Sequence, residues 1–179
     1  MSNKRRLYVS IHHRDESSLG DNRVRLGYNA FHWGILITPK KSNGPDSLAF
    51  DVSDGAKPDP VTRQDTNSDY NWIFRSKTQV DPIRSGRLIG RVLIGKVPNN
   101  ITDLQIQSIL ATVPLPVKDA TPQQSCVTWV ISAITSLQNA GIARRFDVSQ
   151  FMVWALTYAD YSLASPNAHN SYDYDVGSQ

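Results

Sequence analysis

The sequence predicts an α+β fold, with an antiparallel sheet formed by the N-terminal half packed against helices formed by the C-terminal half. Three observations carry that expectation. Apolar and polar residues alternate through the first half, which is the period of half-buried strands. In the second half apolar residues recur at i, i+3, i+4 and i+7, the period of amphipathic helices. The two regimes follow one another rather than interleaving, as they would in a parallel α/β fold. The chain has 179 residues, 40% hydrophobic and 20% charged, which suits one globular domain with a real core.

The elements follow in order. In "RLYVSIHH" (6–13), Leu7, Val9 and Ile11 share one face of a strand and Tyr8, Ser10 and His12 the other. Residues 14–27 are polar with two glycines and are expected to form a loop. "FHWGILIT" (31–38) alternates again, setting Phe31, Trp33, Ile35 and Ile37 against His32, Gly34, Leu36 and Thr38. After the turn signal Asn43-Gly44-Pro45, "LAFDVSD" (48–54) makes an antiparallel partner, with Ala49, Asp51 and Ser53 on one face. Residues 55–71 form a long Pro-, Asp- and Asn-rich loop. "NWIFRSK" (71–77) is a short strand and "RLIGRVLIGKV" (87–97) a longer one, whose glycines mark bulges or close backbone approach.

Thr102 and Gln105 form a capping box ahead of Ile106, Ile109, Leu110 and Val113. "PLPVKDATP" breaks that helix. The next runs from about Ser125 to Ala140 with a stripe of Val127, Val130, Ile131, Ile134 and Leu137, and Gly141 stops it. Asp147 and Gln150 offer another capping box, ahead of a third helix through "FMVWALTYADY". A single domain is expected over residues 1–161, followed by a polar, disordered tail over 162–179.

Totals limit the function. No apolar run approaches the ~20 residues of a membrane span, and "MSNKRRLYVS" lacks an apolar signal core, so a cytoplasmic protein is expected. One cysteine and scattered histidines do not match a zinc site, and "GRLIGRVLIG" is not a phosphate loop. No metal and no cofactor is called for. The formal charge is +3, from 19 Lys+Arg against 16 Asp+Glu.

The lone Cys126 sits where the polar "TPQQS" turns into a helix. The first turn of a helix offers unpaired N–H groups and partial positive charge, which suit a thiolate and a developing oxyanion. The same place also suits a small buried hydrophobe. A nucleophilic thiol needs a base, and His32 is the histidine set within a strand on its polar face. Asp51, on the neighbouring strand, is the candidate to orient the imidazole, with Asp54 the alternative. Gln123, Gln124 or backbone N–H groups would serve as oxyanion donors.

"HWGILI", then an Asp-bearing strand, then "QSCVTWV" opening a late helix resembles the circularly permuted papain-like thiol enzymes. These include the NlpC-like, lecithin:retinol acyltransferase-like and desumoylating isopeptidase-like proteins, in which the His strand precedes the Cys helix. The resemblance covers roughly residues 28–140. It implies a permuted papain-like fold and a thioester at Cys126, with His32 as base and Asp51 as orienting group. The acyl donor would be a small molecule or peptide. Ser125 precedes Cys126 where the acyltransferase branch has Asn, which argues against lipid acyl substrates.

By size and basic balance the chain also resembles small fungal proteins that make arginine-containing cyclodipeptides from aminoacyl-tRNA. That would make Arg75, Lys77, Arg84, Arg87 and Arg91 contacts for tRNA phosphates, and Asp59, Asp65 and Asp69 receivers for an arginine side chain. A third expectation is a non-catalytic binding domain on the same scaffold, with Trp33, Tyr70 and Trp72 lining a groove.

Overall fold

Alternation along the strands decides which way the sheet faces. The computed structural model describes residues 4–175. Its strands are β1 (Arg6–His13), β2 (Phe31–Thr38), β3 (Ser47–Ser53), β4 (Ile73–Val80), β5 (Leu88–Lys96) and β6 (Ser171–Asp173). They form a mixed sheet in the order β4-β3-β2-β1-β5-β6, with β6 parallel to β5 and the other pairs antiparallel. In the β1–β2 register Leu7 lies opposite Ile37, Val9 opposite Ile35 and Ile11 opposite Trp33. All six are buried, so these pairs make one continuous apolar face.

Four α-helices complete the fold: α1 (Gly20–Leu26), α2 (Asp103–Ala111), α3 (Cys126–Asn139) and α4 (Val148–Ala164). The central sheet carries α3 and α4, and α2 packs against α3. Buried residues from Leu7 to Tyr174 form one cluster. Of the two capping boxes read from sequence, that of Thr102 and Gln105 is complete, while at α4 the Asp147 side chain accepts from the Gln150 N–H and the structure shows that half of the box alone. Gly141, at φ +70, ends α3 where an L-residue would be strained. The buried stripe of α3 is rotated from the expected one. It runs through Cys126, Trp129, Val130, Ala133, Ile134 and Leu137, while Ile131 is 37% exposed. Cys126 is thus the first member of the helix's core-facing row.

The β5 glycines serve both expected purposes. The β1–β5 ladder shifts register between Leu7 and Tyr8 and between Ile11 and His12. A Cβ on Gly95 would lie 2.5 Å from the Ile142 carbonyl oxygen, where no side chain fits.

Three regions depart from the expected layout. The loop at 14–27 contains α1, which buries no residue and so shows no apolar periodicity. It is tied down from outside, by the Arg23 fork on Asp160 of α4 at 2.5 and 2.7 Å. Strand β4 runs on to Val80 as an exposed polar edge, which alternation cannot reveal.

The expected disordered tail is ordered as far as it is described. Residues 162–164 complete α4, and β6 extends the sheet. Tyr174 is buried against Phe151 and Phe146, with ring centroids 4.9 and 5.2 Å away, and Tyr172 meets Trp154 at 4.6 Å. The Asn170 side-chain amide donates to the Ile89 and Ser165 carbonyls. Two spaced tyrosines in a polar stretch are an inconspicuous signal, because their partners lie far away in sequence. Residues 176–179 of that expectation lie outside the described residues. Among the described residues no helix is long and apolar enough to cross a membrane.

This placement of the C-terminal segment is testable. Tyr174→Ala should lower the urea-unfolding free energy by roughly 3 kcal/mol, the usual cost of deleting a buried aromatic ring. A free tail would give no change.

Candidate functional site

Polar side chains gather on the sheet face opposite the apolar one. His32, the second residue of β2, points away from the core that its neighbours Phe31 and Trp33 enter. Across the β1–β2 ladder His12 is its partner, with ring centroids 5.9 Å apart. On the other side, β3 offers Asp51, and the β3–β4 register sets Asp51 opposite Arg75 and Ala49 opposite Lys77. Gly34 makes this assembly possible. A Cβ there would lie 3.0 Å from the Phe50 carbonyl oxygen and 3.3 Å from the Asp51 Cβ, in the space beside the carboxylate.

Asp51 is shared by three cationic partners. Its Oδ2 is 3.1 Å from His32 Nε2. The Arg75 fork donates to Oδ1 and Oδ2 at 2.6 and 2.9 Å. Lys77 Nζ stands 3.8 Å from Oδ2. Burial alone would raise the Asp51 carboxyl, but hydrogen bonds from His32 and Arg75, with the Arg75 charge, hold it well below the usual carboxylate range. His32 feels the same balance from the other side. Burial pulls its imidazole down, and the hydrogen bonds to Asp51 and Cys126 outweigh it, raising the value to about 9. His12 has no such anion in contact. Burial and the nearby His32 push it down to about 3, and its Nε2 sits 3.2 Å from Ser10 Oγ.

Cys126 arrives from α3. Ser125 is the N-cap, its Oγ accepting from the Val127 N–H at 3.2 Å and donating to Asn29 Oδ1 at 2.6 Å. That second bond pins the helix start to the segment leading into β2. Cys126 Sγ also lies 4.0 Å from the Phe31 carbonyl oxygen. The thiol is therefore beside the root of the His32 strand and faces the same cleft as the imidazole, whose basicity it helps to raise. With Nε2 engaged by Asp51, Nδ1 is the nitrogen left for sulfur. As a first-turn residue, Cys126 has a backbone N–H without an acceptor among the described residues.

These groups line a cleft of about 930 Å³. Of the residues singled out in sequence, Cys126, His32, Asp51, Asp54, Gln123, Trp72, Arg75, Lys77 and Arg87 face it. The hydrogen bond to His32 comes from Asp51, not from Asp54. Gln124 does not line the cleft; its Oε1 accepts from the Val117 N–H at 2.8 Å. Trp33, expected in a groove, is fully buried in the core and donates to the Tyr28 carbonyl, because alternation puts it on the face opposite His32. Tyr70 is exposed on the long loop. Asp65 accepts from the N–H groups of Lys57 and Asn67, and Asp59 from those of Val61 and Thr62, so both shape that loop. Asp69 offers its carbonyl to Lys118. Arg84 is exposed beside Asp81, and Arg91 lies over the Tyr8 ring, 5.1 Å from its centroid.

Sequence reasoning missed Ser10, His12, Asn29 and Gly34. The alternation of β1 had already put Ser10 and His12 on the polar face, so a signal for them existed. Asn29 joins through a contact 96 residues away in sequence, which nothing local announces. Among the described residues, no group of three or more His, Cys, Asp and Glu side chains is placed to hold a metal ion. The arrangement can pass a proton between a thiol and an imidazole, with a carboxylate steadying the cation.

The chain belongs to a family of unknown function (DUF6914), whose model matches residues 4–165. No curated protein and no solved structure matches it.

The pH dependence of stability follows from His32. Its value rises from 6.5 to about 9 on folding, so its contribution is complete below pH 6.5 and is lost as pH climbs through 9. The stability difference between wild type and His32→Gln, measured by urea unfolding, should therefore shrink between about pH 6 and about pH 10. A difference that is flat across this range would contradict the ion pair.

Proposed function

We propose that this DUF6914 chain is a thiol acyl-transfer enzyme that works through a thioester on Cys126. The observation that carries the reading is the His32 imidazole bonded to the Asp51 carboxylate in the cleft that Cys126 also lines, with the thiol at a helix start with a spare N–H. The order of His strand, Asp strand and Cys helix supports a permuted papain-like scaffold for it.

In the first half-reaction the thiol proton already rests on His32, whose raised basicity favours the imidazolium, and the Cys126 sulfur attacks the substrate carbonyl as a thiolate. The carbonyl oxygen becomes an oxyanion facing the Cys126 N–H, with the Gln123 amide as a second donor. Collapse breaks the bond to the leaving group, which takes the proton from His32. Water or an amine then attacks the thioester, His32 removes its proton, and sulfur leaves as the thiolate beside the imidazolium. The products are an acid or an amide and the restored thiolate–imidazolium pair. Asp51 stays ionised throughout and holds the ring in position. A free-thiol nucleophile needs a reducing compartment, so we place the reaction in the cytoplasm.

An aminoacyl-tRNA donor fits this chemistry but draws less support, since Arg84 and Arg91 lie outside the cleft. The binding-domain reading draws on one observation, the 2% exposure of Cys126.

Intact-mass measurement with p-nitrophenyl acetate separates these readings. The enzyme reading expects one acetyl adduct, mapped to Cys126 and absent in Cys126→Ala. His32→Ala should form it about 100-fold more slowly, the usual worth of a positioned base. Equal rates in His32→Ala and wild type would falsify the catalytic pair and leave a binding domain.

A further inference from the structure

The formal charge of this protein is concentrated in one place. The cleft is lined by Arg14, Arg25, Arg75, Lys77 and Arg87 against Asp51 and Asp54, five cations to two carboxylates. That excess of three equals the formal excess of the whole chain. Arginines, lysines, aspartates and glutamates outside the cleft therefore balance.

The cleft cations are also poorly compensated. Among the described residues, Asp51 is the one carboxylate paired with Arg75, Lys77 and the His32 imidazole. Lys77 is half exposed, and at 3.8 Å its ammonium makes no close hydrogen bond to the carboxylate. Among the described residues, the Arg14 and Arg25 side chains bond to neutral oxygens, the Asn29 carbonyl and Asn22 Oδ1. Arg87 reaches an exposed carboxylate, that of Asp15, at 2.9 Å. Walls of low dielectric focus such a field and raise the local concentration of anions. A positive cleft with donors unspent is a receptor for an oxyanion.

We infer that the substrate of this cleft is a small anion, an acyl compound or acceptor carrying a carboxylate or phosphate group that docks on Lys77, Arg14 and Arg25 beside Cys126. The inference rests on Cys126 being the reacting group. It favours a small ligand over a nucleic acid, because the formal excess of positive charge falls among the residues of the cleft.

Two thiol alkylators of similar size, anionic iodoacetate and neutral iodoacetamide, test it on the full chain. The ratio of their rates at Cys126, normalised to the ratio for N-acetylcysteine, should exceed one by roughly tenfold and fall in high salt. Lys77→Gln and Arg25→Gln should each lower that ratio. A normalised ratio of one or less overturns the inference while leaving the acyl-transfer reading intact. That reading fails separately, if neither reagent reacts faster in wild type than in His32→Ala. Competition at constant ionic strength then identifies the group. Protection by inorganic phosphate assigns a phosphoryl group and protection by succinate a carboxylate. Protection by neither, beyond that of chloride, overturns the anion site.

Discussion

A carboxylate buried in the middle of a sheet face must be paired, and much of this molecule is arranged around pairing Asp51. The charge cannot be left alone, since removing one partner of a buried pair typically costs about 3–5 kcal/mol. Its partners come from both neighbouring strands, His32 from β2 and Arg75 and Lys77 from β4. The strand register is thereby specified by charge on this face as well as by apolar pairing on the other. The polar edge strand, the side-chain gap at Gly34 and the raised basicity of His32 all belong to that one arrangement. A conventional apolar face would have no use for any of them.

The apolar face does a different task, which is to hold α3 where its first residue meets the polar face. Trp129, Val130, Ala133, Ile134 and Leu137 anchor the helix in the core. Ser125 caps it and, through Asn29, ties its start to the beginning of β2. Cys126 is therefore both the end of a core stripe and the edge of the cleft. The two readings of a lone cysteine, packed hydrophobe and reactive thiol, describe the same position seen from two sides.

Where a local rule sets the structure, the sequence was readable. Period-two alternation located β1, β2, β3 and the polar face that holds His32 and Asp51. Cap residues Thr102 and Asp147 located two helix starts, and the polar-to-apolar switch at Ser125 a third. Long-range contacts set the rest. Strand β4 pairs with β3 across the loop at 54–72, so nothing near Arg75 identifies it as the partner of Asp51. Helix α1 is held by the Arg23–Asp160 fork, and the C-terminal segment by Trp154 and Phe151. In the site, facing could have been applied more strictly. Alternation already excluded Trp33 from the face of His32 and admitted His12 to it. Of the two neighbouring glutamines, which one faces the cleft depends on the loop tied by Val117, and no spacing rule decides that.

The ionisation of His32 in the folded protein tests the account most directly, read by NMR of the histidine ring nitrogens through a pH titration. If Asp51 holds the imidazolium beside Cys126, His32 titrates near 9 in the wild type. In Asp51→Asn burial acts with the carboxylate charge removed, and the value should drop toward or below the ordinary 6.5. A His32 that titrates near 6.5 in both proteins would contradict the central pairing.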